Sequence, residues 1–110
     1  MNISNDSAIY QMHANICKVF ASPIRIMIID VLQHGEQTVS ALEKAIGIRQ
    51  AALSQHLAVL REKGVVTTRR DGQNVYYQVA NPKILQACRL MREVLIEQME
   101  QNRELLQRAR

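Results

Sequence analysis

The sequence predicts a mainly α-helical domain with one small β-hairpin, in the order α-α-α-α-β-β-α. Two observations carry this prediction. Apolar residues recur at helical spacing over most of the 110 positions. Between Gly64 and Ala80, two short segments rich in β-branched and aromatic residues flank Asp71-Gly72, which is typical of a hairpin. Two short helices followed directly by a hairpin predict a winged helix-turn-helix domain.

Length and composition restrict the class of protein. A chain of 110 residues with 47% apolar residues has the size of one domain and is too apolar to be disordered. Its longest unbroken apolar runs, such as Ile26 to Ile29, are far too short to span a bilayer. The N-terminus lacks the basic segment and apolar core of a secretion signal. We therefore expect a cytoplasmic protein with no membrane partner.

The first two helices are predicted from spacing and capping. The first runs from about Ser7 to Ala21, because apolar residues recur there every three or four positions. Ser22 is a suitable N-cap for the second, and Pro23 suits the first helical position. This second helix, Ile24 to Leu32, is apolar on nearly all sides and is expected to be the central buried one.

The remaining elements follow from turn and cap signals. Thr38 can cap a third helix that ends at Ile46, and Gly47 suits a left-handed turn into a fourth helix. The further predicted bounds are 50–63 for the fourth helix, 65–70 and 75–80 for the strands, and 82–106 for the last helix, which Asn81-Pro82 begins.

The fourth helix has one apolar and one small, polar face. Leu53, Leu57 and Leu60 fall at i, i+4 and i+7 and are expected to pack inward. The opposite face combines small residues, which permit close approach, with amides and a hydroxyl that can hydrogen-bond base edges in the DNA major groove. Its members are Gln50, Ala51, Ser54, Gln55, Ala58 and Arg61. Taken alone, this face is also compatible with an ordinary solvated helix surface.

The hairpin tip is basic and polar, with Arg69, Arg70, Gln73 and Asn74 around the turn. Arginine on a projecting turn can enter a narrow minor groove or bind phosphate. The chain has a net charge of +4, and residues 49–71 carry five basic side chains against two acidic ones. Because phosphate attraction supplies most non-specific DNA affinity, this placement favours a DNA-binding protein. A winged-helix module that binds another protein is the competing class.

Two side chains near these elements have less specific signals. His56 lies at the border of the leucine face and is expected to pack or to contact phosphate, in preference to binding a metal. Tyr76 and Tyr77 are neighbours on a strand, so one ring is expected to face inward and the other outward.

Four segments together resemble the ArsR-type (arsenic-repressor-like) family of winged-helix regulators. They are residues 20–25 with Pro23-Ile24-Arg25, residues 54–61, residues 64–66 and residues 70–77. The resemblance implies a homodimeric repressor whose first and last helices form the interface, and therefore a near-palindromic operator. Arg49 departs from the family pattern, which often has a capping serine there, and Arg49 could instead reach phosphate.

The last helix independently predicts a second copy as partner. Its apolar stripe is too wide for one small domain to cover, and such a surface marks a partner site. The stripe comprises Ile84, Ala87, Cys88, Met91, Val94, Leu95 and Met99. We therefore expect a single domain over 1–110, with 7–21 and 82–106 as dimerisation helices, 38–63 as the helix-turn-helix and 65–80 as the wing.

A sensor site is less clearly marked. The cysteine pair that the family often has at the third helix is replaced by Thr38 and Ser40. A histidine site on the last helix cannot form, because the last histidine is His56. Cys17 and Cys88 remain as candidates for a thiol-reactive signal. A soft metal or arsenite held by Cys17, Cys88 and His13 is a weaker alternative, and two plain buried thiols are a third.

No arrangement of nucleophile and base, glycine-rich phosphate loop or paired carboxylates stands out in the sequence. We expect no enzymatic activity and no cofactor.

Overall fold

The computed structural model describes residues 3–109, with side chains from Ser7 onwards. Over this range the chain forms five helices and a three-stranded antiparallel sheet. The elements are α1 (Ile3–Val19), α2 (Pro23–Leu32), β1 (Gln37–Thr38), α3 (Val39–Ile46), α4 (Gln50–Glu62), β2 (Val66–Asp71), β3 (Asn74–Val79) and α5 (Pro82–Arg108). The predicted winged helix-turn-helix is confirmed, with β1 as an additional strand.

Local signals begin α2 and α3 as predicted, whereas α1 spans Ile3–Val19 and not the predicted 7–21. The hydroxyl of Ser22 accepts a hydrogen bond from the Arg25 amide at 3.4 Å, and Thr38 accepts one from the Ala41 amide at 3.2 Å. Each bond satisfies an amide that the first turn of a helix otherwise leaves without a partner. At the end of α3, Gly47 has a φ of +80°, a conformation that favours glycine. This turn directs the chain from α3 into α4.

The sheet has the order β1-β3-β2. In the hairpin, Asp71 pairs with Asn74, so Gly72 and Gln73 form a two-residue loop. The φ of Gly72 is +63°, whereas that of Gln73 stays negative, which is the pattern of a type II′ turn. Strand β1 adds to the other side of β3 through Gln37 and Thr38. The wing is thereby hydrogen-bonded to the residues that lead into α3.

An aliphatic core lies beneath the helix-turn-helix. Its buried members are at most 3% exposed: Val19, Ile28, Ile29, Leu32, Leu42, Leu53, Leu57, Leu60, Val65 and Val66. Full burial of one such side chain stabilises a fold by about 1.5–3 kcal/mol. Because the three leucines of α4 are all in this core, the polar face of α4 must point outward.

The prediction that α2 is the central buried helix is only partly correct for a single protomer. Ile28 and Ile29 are buried, but Ile26 is 40% exposed and Met27 is 42% exposed. Neighbouring α1 is exposed at every described side chain from Ser7 to Lys18, because the helix extends away from the core. One side of the domain therefore presents apolar residues of α1, α2 and α5 to solvent.

None of the helices within residues 3–109 is both long and apolar enough to cross a membrane.

Candidate nucleic-acid interface

The outward face of α4 carries the side chains that the sequence analysis selected. Leu53, Leu57 and Leu60 are fully buried. On the opposite side every predicted position is exposed: Arg49, Gln50, Ala51, Ser54, Gln55, Ala58 and Arg61. A helix with small and amide-bearing side chains on its free face can enter the major groove and hydrogen-bond base edges.

The N-terminus of α4 lacks the serine cap of the family pattern. Arg49 is the N-cap residue, and within the described part of the chain its side chain makes no capping hydrogen bond. The first amides of α4 are therefore free to bind an anion, and the exposed Arg49 guanidinium lies beside them. This arrangement suits a DNA phosphate.

An open hollow at the turn between α3 and α4 extends this surface. It is lined by Ser40, Glu43, Lys44, Gly47, Ile48 and Arg49. Sequence reasoning missed Ser40 and Lys44, both of which are exposed. Only their place on α3 could have indicated them, because the first helix of a helix-turn-helix crosses the DNA backbone.

Arg25 fixes α4 to the helices before it. Its Nε donates to Nδ1 of His56 at 3.3 Å, and a terminal nitrogen donates to the carbonyl of Val19 at 3.4 Å. One side chain of α2 thus joins the end of α1 to the middle of α4. His56 is half-buried in this contact, which agrees with the predicted packing role.

The two arginines of the wing lie on opposite faces of the hairpin. Arg70 pairs with Val75 and shares its face with Val66, whereas Arg69 pairs with Tyr76 on the other face. Among the described residues Arg70 is exposed and belongs to none of the salt bridges. Gln73 and Asn74 at the tip are exposed as well. These three side chains are available to a ligand.

Arg69 is already engaged within the domain. Its guanidinium donates to both carboxylate oxygens of Glu36, at 2.6 and 3.1 Å, and its Cζ lies 4.6 Å from the centre of the Tyr76 ring. The hydrogen bond from Arg69 lowers the pKa of Glu36, although partial desolvation opposes this shift. The sequence offered no signal for Glu36, which lies 33 positions from Arg69.

The two tyrosines of β3 divide as predicted. Tyr77 packs against the core from the inner face of the sheet. Tyr76 lies on the outer face under Arg69.

The two cysteines lie in different surroundings. Cys17 is exposed on α1, whereas Cys88 is half-buried and packs against the core. Burial raises the pKa of the Cys88 thiol, and nearby Asp30 adds to the shift while Arg92 opposes it. Arg92 and Asp30 form an ion pair at 3.2 Å that joins α5 to α2.

Among the side chains that the structure describes, no three histidine, cysteine or acidic groups come together as metal ligands, so one protomer does not assemble Cys17, Cys88 and His13.

Comparison with known proteins gives the family. Residues 22–68, from the cap of α2 into the wing, match the model of the arsR family of bacterial regulatory proteins. The biofilm growth-associated repressor of Xylella fastidiosa is 39% identical over 88 residues, which cover 80% of this chain and 77% of that protein. The transcriptional activator HlyU of Vibrio cholerae is 36% identical over 69 residues, which cover 63% of this chain and 64% of HlyU.

A solved structure extends the likeness to the whole fold. The homodimeric winged helix-turn-helix DNA-binding domain of Mb0332 from Mycobacterium bovis superposes with a TM-score of 0.81 at 30% identity, covering 87% of this chain and 89% of that domain. The likeness therefore includes α1 and α5, which the family model does not. The chain belongs to the arsR family of bacterial regulatory proteins.

Proposed function

We propose that this protein is a cytoplasmic, homodimeric repressor that binds a near-palindromic operator and is released by a thiol-reactive signal at Cys17 and Cys88. One observation carries the DNA-binding part. The leucine face of α4 is fully buried while its small, amide-bearing face is exposed, and the wing carries an exposed arginine, Arg70, that is in none of the salt bridges of the described residues. Few ligands other than a DNA groove account for both an exposed helix face of small and amide side chains and a basic wing.

The DNA contacts divide into two kinds. Direct readout of bases comes from the exposed face of α4, through Gln50, Ala51, Ser54 and Gln55. Phosphate and minor-groove contacts come from the basic and polar side chains at its edges and on the wing: Arg49, Arg61, Arg70, Gln73 and Asn74. The second set fixes the register of the protein on DNA, and the first supplies specificity.

A second copy covers the apolar side of the domain. On α1, Ile9, Met12 and Ile16 are exposed at helical spacing, and α5 exposes Leu90, Met91, Val94, Leu95, Ile96 and Met99. An isolated helix such as α1 is only marginally stable in water, so its apolar stripe needs a partner. A two-fold dimer through α1 and α5 places two α4 helices on successive turns of DNA, which explains the expected operator symmetry.

Similarity to the relatives favours repression over activation of transcription. The biofilm growth-associated repressor matches over more of the chain than the activator HlyU does. A dimer bound at its operator represses by occupying the promoter. Transcription from a reporter that carries the operator distinguishes the two, because a repressor lowers it and an activator raises it.

The thiol signal acts through the dimer helices. Cys17 lies on α1 and Cys88 on α5, next to the Asp30–Arg92 ion pair that joins α5 to α2. A two-electron oxidant that takes up the electrons and protons of both thiols joins the two sulfurs in a disulfide, within or between protomers. This bond shifts α1 against α5 and thereby changes the spacing of the two α4 helices. Cys17 is the more accessible thiol, whereas the raised pKa of Cys88 makes it the slower one.

DNA binding is tested by selecting a duplex from a random-sequence pool with the reduced protein. We expect a near-palindromic sequence, hereafter the selected duplex, whose affinity falls steeply as salt is raised, because phosphate contacts release counterions. Absence of any selected sequence, or an affinity that ignores ionic strength, would indicate a winged-helix module that binds protein instead.

The signal is tested on the same duplex with the wild type, Cys17→Ser and Cys88→Ser. Treatment with a disulfide-forming oxidant is expected to release the wild type only. Release by zinc or arsenite, lost in the same variants, would instead support a metal or metalloid inducer. Binding that no treatment changes would exclude a sensing role for either cysteine.

A further inference from the structure

Glu36 and Arg69 form the most extensive side-chain contact of the described wing. Two hydrogen bonds of 2.6 and 3.1 Å join the guanidinium to both carboxylate oxygens. Such a bidentate pair fixes the orientation of both groups, unlike a single-contact surface ion pair. Asp71 approaches the same guanidinium at 4.0 Å, and the Tyr76 ring lies beneath it.

This contact joins parts of the chain with different tasks. Glu36 directly precedes β1, and β1 leads through the capping residue Thr38 into α3. Arg69 lies in the middle of β2 and is paired with Tyr76 of β3, which is paired in turn with Thr38. Strand β1, which links the wing to the start of α3 by hydrogen bonds, has only two residues. The ion pair is the side-chain link across the same three strands.

We propose that Glu36 and Arg69 are positioning residues, whose ion pair holds the wing at a fixed angle to α3 and α4, and that Arg69 does not contact DNA. This inference rests on the proposed DNA-binding function. It assigns different roles to the two wing arginines: Arg70 contacts DNA, and Arg69 fixes the orientation of the wing. It also gives a role to Glu36, an acidic residue beside a surface that otherwise needs positive charge.

The geometry favours positioning over competition for phosphate. If Arg69 moved to a phosphate, it would give up two charge-assisted hydrogen bonds and the stacking on Tyr76. Arg70, on the opposite face, is already free to contact DNA without any such loss. The wing therefore keeps one fixed and one available arginine.

The test compares Glu36→Gln, Arg69→Gln and the charge swap Glu36→Arg with Arg69→Glu on the selected duplex. Glu104→Gln, an exposed carboxylate of α5, is the control for net charge. We expect each single variant to bind about threefold to fivefold more weakly, as befits an exposed ion pair. The swap is expected to restore affinity, and the salt dependence of both Gln variants to stay that of the wild type. By contrast, Arg70→Gln is expected to reduce the salt slope by about one.

Hydrogen exchange supplies a second readout that does not depend on DNA. The amides that join β1 to β3 are expected to exchange faster in Glu36→Gln while those of α4 stay protected. Tighter binding and a steeper salt slope in Glu36→Gln would overturn the inference, because Arg69 would then be competing for phosphate. So would wild-type affinity in both single variants. If the wild type selects no duplex, the proposed function fails. In that case the positioning role is tested by hydrogen exchange alone, and unchanged exchange of the β1–β3 amides in Glu36→Gln would overturn it.

Discussion

Nε of Arg25 donates to Nδ1 of His56 at 3.3 Å, and this bond ties α2 to α4, the proposed DNA-reading helix. Nδ1 accepts this bond through its lone pair. A second bond from Arg25 holds the carbonyl of Val19, the last residue of α1. The relationship explains why an arginine, and not an apolar residue, follows Pro23-Ile24. One planar side chain with several donors can bind α1 and α4 together.

Replacing Arg25 by leucine is therefore expected to lower both stability and DNA affinity. Two partly buried hydrogen bonds are lost, which amounts to about 1–2 kcal/mol in the free energy of unfolding. Urea unfolding measures this loss, and titration of the selected duplex measures the affinity. Arg61→Leu is the contrast, because its exposed side chain lies on the proposed DNA-binding face of α4. Arg61→Leu is expected to lose DNA affinity but to keep the wild-type free energy of unfolding. If Arg25→Leu were as stable as Arg61→Leu, Arg25 would not stabilise the packing of α1, α2 and α4.

Gln55→Ala tests readout by the exposed face of α4. Gln55 is exposed, so its truncation is expected to change stability by less than about 0.5 kcal/mol. Loss of a base contact is expected to weaken binding of the selected duplex by about 1–3 kcal/mol and to relax specificity at one position of each half-site. Repeating the selection with the variant measures this. Gln101→Ala, an exposed glutamine of α5, is the matched control. If the variant instead loses the same affinity for every DNA sequence, Gln55 contacts phosphate and not a base.

Local signals explain how much of this could be predicted from the sequence. The caps Ser22 and Thr38, the turn at Gly47 and the leucine spacing of α4 each depend on a few neighbouring residues. Strand β1 has only two residues, too few for any periodicity, and was missed. The pairing of Arg69 with Glu36 depends on the register of the whole sheet. For that reason the sequence predicted two equivalent wing arginines, whereas the structure distinguishes them.

The apolar helices were recognised, but their environment was only partly predicted. The width of the stripe on α5 indicated a partner, and the exposure of Met91 and Leu95 agrees with that reasoning. The exposure of Ile26 and Met27 on α2 was not expected, because an all-apolar helix normally indicates a buried one. Burial within a protomer and burial within a dimer leave the same pattern in a sequence.

Leu95→Glu is expected to break the dimer. Leu95 is 52% exposed in the protomer, so the charge costs little in the isolated domain but is unfavourable in an apolar interface. Light scattering measures the mass, and binding to the selected duplex is expected to fall steeply because one half-site holds one protomer weakly. Gln107→Glu, an exposed position further along α5, adds the same charge as a control. A dimer that survives Leu95→Glu would exclude this stretch of α5 from the interface.

Cys88 is expected to react slowly and in a pH-dependent way. Burial raises its pKa above the ordinary value, so at neutral pH less of it is thiolate, the form that reacts. In Cys17→Ser, alkylation of Cys88 is expected to be slower in the folded protein than in the protein unfolded by urea. As the pH rises through the folded pKa, the thiolate forms and the difference narrows, leaving only the part due to limited access. Mass spectrometry follows the rate. A folded Cys88 that reacts as fast as the unfolded one at pH 7 would show that neither burial nor the Asp30 charge restrains the thiol, and Cys88 could then initiate the switch itself.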